Sequence, residues 1–461
     1  MTQTLLSVGT DEYIKRVREI NCGNIKYVYV FTFGCQQNEA DAEKLRGMAH
    51  AMGYTDTEAP ERADLILINT CAIREHAELK ALSMLGRFKV LKKNKPELII
   101  GVCGCMAAEP HRAELIKRDF HYVTFTLEPN MLHRVPELVW RYIESRRRNF
   151  VFGEDRGDVV EGMPVSRTCR HRAFVSIMYG CNNFCSYCIV PYVRGRERSR
   201  ASADVIAECR ELVSDGVREI TLLGQNVNSY KSDMNFASLI SAIAEIEGDF
   251  IIRFMTSHPK DTSPELISAM ARYNGKIAPY FHLPLQAGSD RVLSTMNRTY
   301  DSKKYLDTLK ALKDAVPDIA VSTDVIVGFP GEDDADFECT LDVLREGQFD
   351  MVYAFLYSPR EGTRASTMDA QVPREVKDER MARLLSMQDE ISYKRNERFL
   401  GRICRVLVDS CEMRDGVLIY TGRNAENKLV HFTAKNAEIG EFINVKIEKT
   451  GAFDLIGCAE E

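Results

Sequence analysis

The chain has 461 residues, of which 45% are hydrophobic and 28% charged, and its formal net charge is −6 at pH 7. This length is too great for one ordinary hydrophobic core and predicts two to four domains. The balance of apolar and charged residues is typical of a globular protein and excludes a largely disordered chain. The negative net charge excludes a uniformly basic nucleic-acid-binding protein, but it does not exclude a local positive surface.

The amino-terminal segment lacks the features of a targeting sequence. Asp11, Glu12 and Glu19 interrupt it, so it does not contain the apolar centre of a signal peptide. No run of residues approaches the roughly 18 apolar positions that a membrane span needs. We therefore expect a cytoplasmic protein with no membrane association.

Residues 24–145 alternate short apolar runs with amphipathic stretches of helical length. The apolar runs are Tyr27 to Phe33, Leu65 to Ile68, Leu98 to Val102 and Tyr122 to Phe125. This alternation predicts an α/β fold with an open parallel sheet. The stretch from Arg146 to Arg170, rich in charge and glycine, is predicted to be a linker or a segment that crosses the surface.

Residues 165–395 contain six further strand candidates that alternate with helices. They are Phe174 to Met178, Ile220 to Leu223, Ile251 to Met255, Tyr280 to Leu285, Val321 to Val327 and Met351 to Tyr357. This repeat predicts a partial (β/α)6 barrel, in which ligands gather at the carboxyl ends of the strands. After a helical stretch, the alternating pattern of residues 397–460 predicts a small antiparallel β-barrel of the OB-like kind, which often binds RNA.

The chain contains fourteen cysteines. Disulfides are rare in a reducing compartment, and a chain of this length does not need them for stability. Metal ligation or catalysis is therefore the favoured role for the cysteines.

The densest cysteine motif directly follows the first strand of the predicted barrel. The segment reads Tyr179-Gly180-Cys181-Asn-Asn-Phe-Cys185-Ser-Tyr187-Cys188. Three thiolates leave one iron of a 4Fe-4S cluster open to an exogenous chelator. The motif is similar to that of radical-SAM enzymes, which implies that S-adenosylmethionine is the chelator and that Tyr187 contacts its adenine. A zinc site is the alternative, for which four ligands would be expected.

A second set of cysteines is dispersed along the amino-terminal region. Cys35, Cys71 and Cys105 follow the first, second and third predicted strands, respectively. The carboxyl ends of parallel strands share one sheet edge, where such folds bind ligands. The three thiols are therefore predicted to hold a second cluster, and buried cysteines without a ligand role are the alternative. Cys103 continues an apolar run, so we expect it to be a core thiol.

These motifs carry a resemblance to a known family over nearly the whole chain. The sequence resembles the tRNA methylthiotransferases of the MiaB type, within the radical-SAM methylthiotransferase family. The segments that carry it are Thr32-Phe-Gly-Cys35-Gln-Gln-Asn38, Asn69-Thr-Cys71-Ala-Ile-Arg74, Gly104-Cys105-Met-Ala107, the Cys181 loop continuing to Arg200, Leu222-Leu-Gly-Gln-Asn-Val-Asn-Ser-Tyr230 and Tyr357-Ser-Pro-Arg-Glu-Gly-Thr363.

The resemblance implies methylthiolation at carbon 2 of N6-(dimethylallyl)adenosine at position 37 of tRNA, next to the anticodon. It implies an auxiliary 4Fe-4S cluster in residues 24–145, a radical-SAM 4Fe-4S cluster in residues 165–395 and a tRNA-binding TRAM domain in residues 397–460. One S-adenosylmethionine would donate a methyl group, and another would provide the 5′-deoxyadenosyl radical that removes the hydrogen from carbon 2. The implied partners are the tRNA anticodon stem-loop, a reducing electron donor such as flavodoxin or ferredoxin, and iron-sulfur assembly proteins.

Other polar residues at the strand ends are candidates for cofactor binding. They are Gln225, Ser257, Gln286 and Asp324, whose side chains can hydrogen-bond ribose, amine and carboxylate groups. Asp324 lies in an apolar run, where a carboxylate without a partner is costly. For His258, a structural role and a ligand contact both stay open.

Basic residues at short spacing are candidates for RNA contact. They are Arg194, Arg196, Arg198 and Arg200 after the cysteine triad, and Arg423 and Lys428 in the tail. A guanidinium group can donate two hydrogen bonds to phosphate oxygens. A solvated loop face is the alternative explanation of the same pattern.

Three other functions compete with this one. Two related groups of enzymes act on threonylcarbamoyladenosine in tRNA and on a ribosomal-protein aspartate. The segments Gly224-Gln-Asn-Val-Asn and Ser358-Pro-Arg360 match the MiaB-type tRNA group instead. A non-catalytic iron-sulfur RNA-binding regulator is the alternative from a different class. Such a regulator would not need both an open cluster and a six-stranded barrel.

Overall fold

The computed structural model describes residues 8–72, 75–151, 153 and 159–460. These residues form two compact units. The first takes its described residues from Met1–Thr168, Met178–Asn182 and Cys188–Ser199, and the second from Cys169–Ile177, Asn183–Tyr187 and Arg200–Glu461. Ile73 and Arg74 of the Cys71 motif, and residues 152 and 154–158 of the predicted linker, lie outside the described residues.

The first unit is built on a parallel sheet between helices. Its strands are β1 (Lys26–Phe33), β2 (Tyr54–Asp56), β3 (Leu65–Thr70), β4 (Ile99–Gly104), β5 (Phe125–Leu127) and β6 (Asn149–Val151). Its helices are α1 (Val8–Asn21), α2 (Gln36–Ala51), α3 (Glu75–Asn94), α4 (Pro110–Asp119) and α5 (Val135–Ser145). The strand order is β2-β1-β3-β4-β5-β6, and every neighbouring pair is parallel. The predicted open parallel α/β sheet is confirmed.

The central strands β3 and β4 are buried along their whole length. Successive side chains of a strand point to opposite faces, so Leu65 and Leu67 pack into one apolar core while Ile66 and Ile68 pack into another. Because helices cover both faces, the strands read as continuous apolar runs. This burial leaves the carboxyl edge of the sheet as the place where polar and thiol side chains emerge.

The chain continues through short elements and then through alternating strands and helices. The strands are β7 (Arg172–Ser176), β8 (Met178–Tyr179), β9 (Arg198–Ser199), β10 (Glu219–Leu223), β11 (Ile251–Phe254), β12 (Tyr280–His282), β13 (Ala320–Val327) and β14 (Met351–Leu356). The helices are α6 (Val190–Val193), α7 (Ser202–Ser214), α8 (Phe236–Ala244), α9 (Pro264–Arg272), α10 (Asp290–Thr295), α11 (Ser302–Ala315), α12 (Asp334–Gly347) and α13 (Arg374–Asn396). Strands β8 and β9 pair with each other and belong to the first unit.

The other six of these strands belong to the second unit and form two parallel sheets of three strands each, in the orders β11-β10-β7 and β12-β13-β14. An isolated parallel bridge between Ile252 and Ile277 connects β11 to the segment that precedes β12. Within that bridge, the Ala278 amide donates a hydrogen bond of 2.9 Å to the Ile252 carbonyl oxygen. This arrangement agrees with the predicted partial barrel of six βα units.

The second unit ends in a closed β-barrel. Its strands are β15 (Ile403–Arg414), β16 (Val417–Asn424), β17 (Leu429–Thr433), β18 (Phe442–Thr450) and β19 (Asp454–Ala459), in the order β15-β16-β17-β19-β18. The pair β17–β19 is parallel and the others are antiparallel, so the predicted barrel is correct except at this pair. The side-chain Nδ2 of Asn396, at the end of α13, donates a hydrogen bond of 2.8 Å to the Gly451 carbonyl oxygen.

None of the described helices combines the length and apolar character needed to cross a membrane.

Candidate iron-sulfur site

Three cysteines follow three adjacent strands of the first unit. Cys35 comes two residues after β1 and caps α2, Cys71 follows β3, and Cys105 follows β4. Because β1, β3 and β4 are neighbours in one parallel sheet, their carboxyl ends lie at the same edge. The structure thus brings together three thiols that are far apart in the sequence.

The thiol of Cys35 is tuned toward the thiolate form. A hydrogen bond from Cys71, the nearby positive charge of Arg194 and the backbone amides of α2 together lower the pKa of Cys35 to about 6, against the opposing effect of burial. The thiolate is the form of cysteine that binds metal, and a helix N-terminus favours it. At Cys35, this sheet edge therefore offers a sulfur donor whose thiolate form is favoured.

Arg194 provides a fixed positive charge beside these sulfurs. It is only 3% exposed, its Nε donates a hydrogen bond of 3.2 Å to Cys105 Sγ, and its Nη2 lies 2.9 Å from Asp41 Oδ2. Burial raises the pKa of the Cys105 thiol, and the Arg194 charge opposes that shift. A guanidinium group held by a carboxylate can stabilise negative charge on a cysteine sulfur.

Two asparagines and a glycine shape the same edge. The Asn69 Nδ2 donates a hydrogen bond of 2.6 Å to the Asn38 carbonyl oxygen, and the Asn38 Nδ2 donates one of 3.3 Å to Asn69 Oδ1. Gly104 has a φ of +94°, and a Cβ there would lie 2.4 Å from Asn69 Oδ1. Only glycine tolerates both conditions, so Gly104 determines how the chain turns from β4 to Cys105.

Cys103 lies within β4, two residues before Cys105, and its environment differs from that of Cys105. It is 0% exposed and packs in an apolar core with Leu127 and Phe125. Burial raises the pKa of Cys103 to about 12, so its thiol stays protonated at neutral pH. The structure places this residue in the core, as expected from the sequence.

The loop with Cys181, Cys185 and Cys188 contributes to both units. Cys181 and Cys188 belong to the first unit, and Cys185 belongs to the second. In the first unit, the Cys181 amide donates a hydrogen bond of 3.1 Å to the Gly195 carbonyl oxygen. Gly180 has a φ of +78°, and a Cβ there would lie 2.0 Å from the Arg196 carbonyl oxygen, which makes glycine necessary before Cys181.

Cys35, Cys71 and Cys105 form a donor set of the kind that holds iron-sulfur clusters. Among the residues that the structure describes, no group of three or more His, Cys, Asp or Glu side chains is arranged to hold one metal ion. A cluster binds its thiolates on separate iron atoms and does not require such an arrangement. Sulfur donors without carboxylate or imidazole partners are also the set that iron-sulfur clusters prefer.

Three of the predicted cofactor-binding residues, Gln225, Ser257 and Gln286, lie beyond strand ends, whereas Asp324 lies within β13 with its Oδ2 3.4 Å from His282 Nε2. Gln225 follows β10, and Ser257 is buried with no hydrogen-bond partner for its Oγ among the described residues. Gln286 has a φ of +73°, and its amide donates a hydrogen bond of 2.8 Å to the Asp324 carbonyl oxygen. An orphaned buried hydroxyl such as that of Ser257 is what a bound polar ligand would satisfy. Tyr187 lies on the cysteine loop in the same unit.

His258 has a structural environment. Its Nδ1 accepts a hydrogen bond of 3.2 Å from the Lys260 amide, and its ring contacts Tyr300 edge-on at 5.6 Å. Burial lowers the pKa of His258 to about 2, with the positive charges of Arg298 and Lys260 acting in the same direction. These contacts favour the structural role over a ligand contact.

The predicted RNA-binding residues divide into buried and accessible groups. Arg194, Arg200 and Lys428 are buried: Arg200 lies 2.8 Å from Glu208 Oε2, and the Lys428 Nζ lies 3.5 Å from Asp350 Oδ1. Burial and an acidic partner favour a structural role for each of these three cations over the predicted RNA contact.

The remaining cations of the set are more accessible. Arg196 is exposed, and Arg198 and Arg423 are partly exposed. Arg198 Nη2 lies 2.9 Å from Asn130 Oδ1, and Arg423 Nη1 donates a hydrogen bond of 3.0 Å to the Asn427 carbonyl oxygen. These three arginines stay candidates for RNA contact.

Sequence reasoning missed several residues that the structure places around the cysteines. Asp41 and Asn69 support the strand-end edge, and Asn297 and Arg298 contact the Cys185 loop. Asn69 lies two residues before Cys71, whereas Arg298 is 113 residues from Cys185. Asp41, Asn69 and Arg298 are buried and Asn297 is exposed, so burial of a polar or charged group would have marked three of the four, but burial is not visible in a sequence.

Comparison with known proteins identifies the family. Residues 175–344 match the Radical SAM superfamily, and residues 27–126 match the uncharacterized protein family UPF0004. The chain is 46% identical to the tRNA-2-methylthio-N(6)-dimethylallyladenosine synthase of Caldicellulosiruptor saccharolyticus over 98% of both chains. It is 45% identical to the synthase of the same name from Alkaliphilus oremlandii, over 97% of this chain and 95% of that one.

Solved structures of other enzymes share the fold. The radical S-adenosylmethionine methyltransferase TsrM from Kitasatospora setae, with cobalamin and a [4Fe-4S] cluster bound, aligns with a TM-score of 0.56 at 11% identity, over 74% of this chain and 77% of that one. The cobalamin-dependent radical enzyme OxsB aligns with a TM-score of 0.50 at 11% identity, over 80% of this chain and 56% of that one. The near full-length identity to the synthases shows that the chain belongs to the radical-SAM tRNA methylthiotransferases of the tRNA-2-methylthio-N(6)-dimethylallyladenosine synthase family.

Proposed function

We propose that this enzyme methylthiolates carbon 2 of N6-(dimethylallyl)adenosine at position 37 of tRNA. The observation that carries the proposal is the 46% identity to a synthase of that name over 98% of the chain. At this identity and coverage, the matched relative contains every region in which a candidate site residue lies. The cofactors are S-adenosylmethionine and 4Fe-4S clusters, as membership of the radical SAM superfamily implies.

Two clusters fit the two cysteine sets. In this proposal Cys35, Cys71 and Cys105 hold the auxiliary cluster, and Cys181, Cys185 and Cys188 hold the radical-SAM cluster. When bound, the clusters and S-adenosylmethionine supply the electron, the radical and the methylthio group that acid-base side chains cannot provide at an aromatic carbon.

The role of the chain is to bind the clusters and S-adenosylmethionine and to exclude water from them. The buried pair of Arg194 and Asp41 orients a hydrogen-bond donor toward Cys105. In the second unit, Gln225, Ser257, Gln286 and Asp324 are proposed to hydrogen-bond S-adenosylmethionine, and Tyr187 is proposed to contact its adenine. The unpartnered Ser257 hydroxyl supports this assignment most directly.

We assign the binding of tRNA to accessible arginines and to the terminal barrel. Arg196, Arg198 and Arg423 are proposed to contact phosphates, and residues 397–460 are proposed to act as the tRNA-binding domain, with residues 24–145 and 165–395 as the cluster-binding domains. The target adenine sits in a single-stranded loop, where a base can leave its stack at low cost. An electron donor such as flavodoxin or ferredoxin, iron-sulfur assembly proteins and a cytoplasmic location complete the proposal.

Nucleoside mass spectrometry tests the proposal. In tRNA from cells that lack the enzyme, the methylthio form of N6-(dimethylallyl)adenosine should disappear while the unmethylthiolated nucleoside accumulates. Reintroducing the gene should restore the methylthio form, and a Cys185→Ala version should not. Loss of a methylthiolated threonylcarbamoyladenosine instead would assign the enzyme to the sibling group. Unchanged tRNA nucleosides would refute the proposal.

A further inference from the structure

One segment of the second unit forms hydrogen bonds with the middle of the radical-SAM cysteine loop. We call residues 295–300, which start at the last residue of α10, the clamp segment. The Ser186 amide donates a hydrogen bond of 3.0 Å to the Met296 carbonyl oxygen, and the Ser186 hydroxyl donates one of 2.9 Å to the Thr295 carbonyl oxygen. The residue after Cys185 is therefore fixed by both its backbone and its side chain.

The clamp segment also fixes the residues before Cys185. The Asn297 Nδ2 donates hydrogen bonds of 3.2 Å to the Asn183 carbonyl oxygen and 3.0 Å to the Phe184 carbonyl oxygen. Phe184 has a φ of +47°, in a region that a bulky side chain seldom adopts, and Asn297, a residue type that tolerates this region, has a φ of +60°. Such strain persists where the surrounding structure imposes it, and it clusters at functional sites.

Arg298, in the same clamp segment, contacts Cys185 directly. Its Nη1 donates a hydrogen bond to Cys185 Sγ at 3.5 Å, its Nη2 donates one to the Pro284 carbonyl oxygen at 2.9 Å, and its Nε donates one to Tyr300 Oη at 2.8 Å. The Tyr300 hydroxyl in turn donates a hydrogen bond of 2.7 Å to the Leu285 carbonyl oxygen. The guanidinium group is thus held in one orientation at the end of β12.

The charge of Arg298 lacks an acidic partner in the part of the chain that the structure describes. The side chain is 8% exposed, and no Asp or Glu among the described residues forms an ion pair with it. A buried guanidinium group with only neutral partners is strongly unfavourable, so a negative charge is expected close to it. Of the atoms that Arg298 contacts, the Cys185 sulfur is the one that would carry negative charge as a ligand of a cluster.

We propose that Arg298 is a positioning residue that donates a hydrogen bond to the Cys185 thiolate and, by its fixed positive charge, stabilises the reduced state of the cluster held there. The inference rests on the proposed function, in which Cys185 is a cluster ligand. Reduction takes one electron from an external donor and makes or breaks no bond. It adds negative charge, which a neighbouring guanidinium group favours, and hydrogen bonds to the sulfurs act in the same direction.

The test is a potentiometric titration of the full-length chain carrying Cys35→Ala, Cys71→Ala and Cys105→Ala, so that one cluster remains. The reductant is dithionite, the readout is the electron paramagnetic resonance signal of the reduced cluster, and iron content is measured in parallel. The variants added to this background are Arg298→Gln and Arg298→Lys. Arg291→Gln is the matched control, because Arg291 lies on α10 with its side chain 57% exposed.

For Arg298→Gln, we expect the ratio of reduced to oxidised cluster at a fixed potential to fall at least tenfold, about 59 mV for a one-electron couple. Arg298→Lys retains the charge and should lose less than threefold, and Arg291→Gln should match the background. If Arg298→Gln takes up no iron while Arg298→Lys does, the requirement for positive charge is supported as well.

Several results would overturn the inference. They are an unchanged midpoint in Arg298→Gln, equal losses in the glutamine and lysine variants, or failure of both to take up iron. An unchanged midpoint with weaker S-adenosylmethionine binding would assign Arg298 to the cofactor instead and would also overturn it. If the background protein itself held no iron, the ligand assignment in the proposed function would fail, and the inference with it.

Discussion

The two cysteines at the end of β4 provide a sharp test, because they are two residues apart and have opposite environments. Cys103 packs in the apolar core, whereas Cys105 receives the hydrogen bond from Arg194. We therefore compare Cys103→Ser with Cys105→Ser. The substitution is chemically the same at both positions, so the two variants serve as controls for each other.

The expected magnitudes follow from the two environments. A hydroxyl at position 103 would be buried among apolar side chains, which costs about 1–3 kcal/mol. For a unit of this size, that loss corresponds to a fall in Tm of roughly 2–12 °C. Cys103→Ser should nevertheless retain both clusters, about eight irons, while Cys105→Ser should lose the auxiliary cluster and retain about four.

The assays are iron and sulfide analysis after anaerobic reconstitution, and scanning calorimetry of the iron-free proteins. Both variants should still cleave S-adenosylmethionine, because that reaction needs only the Cys181, Cys185 and Cys188 cluster. Only Cys105→Ser should fail to form the methylthio product. A Cys103→Ser protein with half the iron, next to a Cys105→Ser protein with all of it, would refute the ligand assignment at this strand.

Three further predictions concern residues outside the cysteine sets. Lys428→Met should destabilise the protein by about 1–3 kcal/mol, seen as a lower Tm, because buried Asp350 loses one of its cationic partners; an unchanged Tm would show that the pair is not stabilising. The pKa of His258 is lowered to about 2 in the folded protein. As the pH falls below 6.5, the imidazole therefore binds a proton in the unfolded chain but not in the folded one. The free energy of unfolding should then fall by up to about 1.4 kcal/mol per pH unit. His258→Gln should flatten that dependence in chemical unfolding, and an unaltered slope would contradict the sign of the shift. Arg196→Gln should weaken tRNA binding and reduce the slope of log affinity against log salt concentration by about one, whereas an identical slope would exclude a phosphate contact.

Much of the architecture could be predicted from the sequence, because the signals that specify it are local. A strand that is buried on both faces reads as a continuous apolar run, as β3 and β4 do, and helices alternate with such runs. Cys35, Cys71 and Cys105 could be placed together for the same reason, since parallel strands bring their carboxyl ends to one edge. In the terminal barrel, alternation predicted the strands but not the parallel pairing of β17 with β19.

The surroundings of the sulfurs were decided by the tertiary structure alone. Arg194 reaches Cys105 across 89 residues, and Arg298 reaches Cys185 across 113. In the sequence, Arg194 lies among other basic residues that predicted RNA contact, and nothing marks Arg298 at all. A charged residue has the same local pattern whether it is solvated or buried. Only packing determines which guanidinium group loses its water and must find a carboxylate or a thiolate instead.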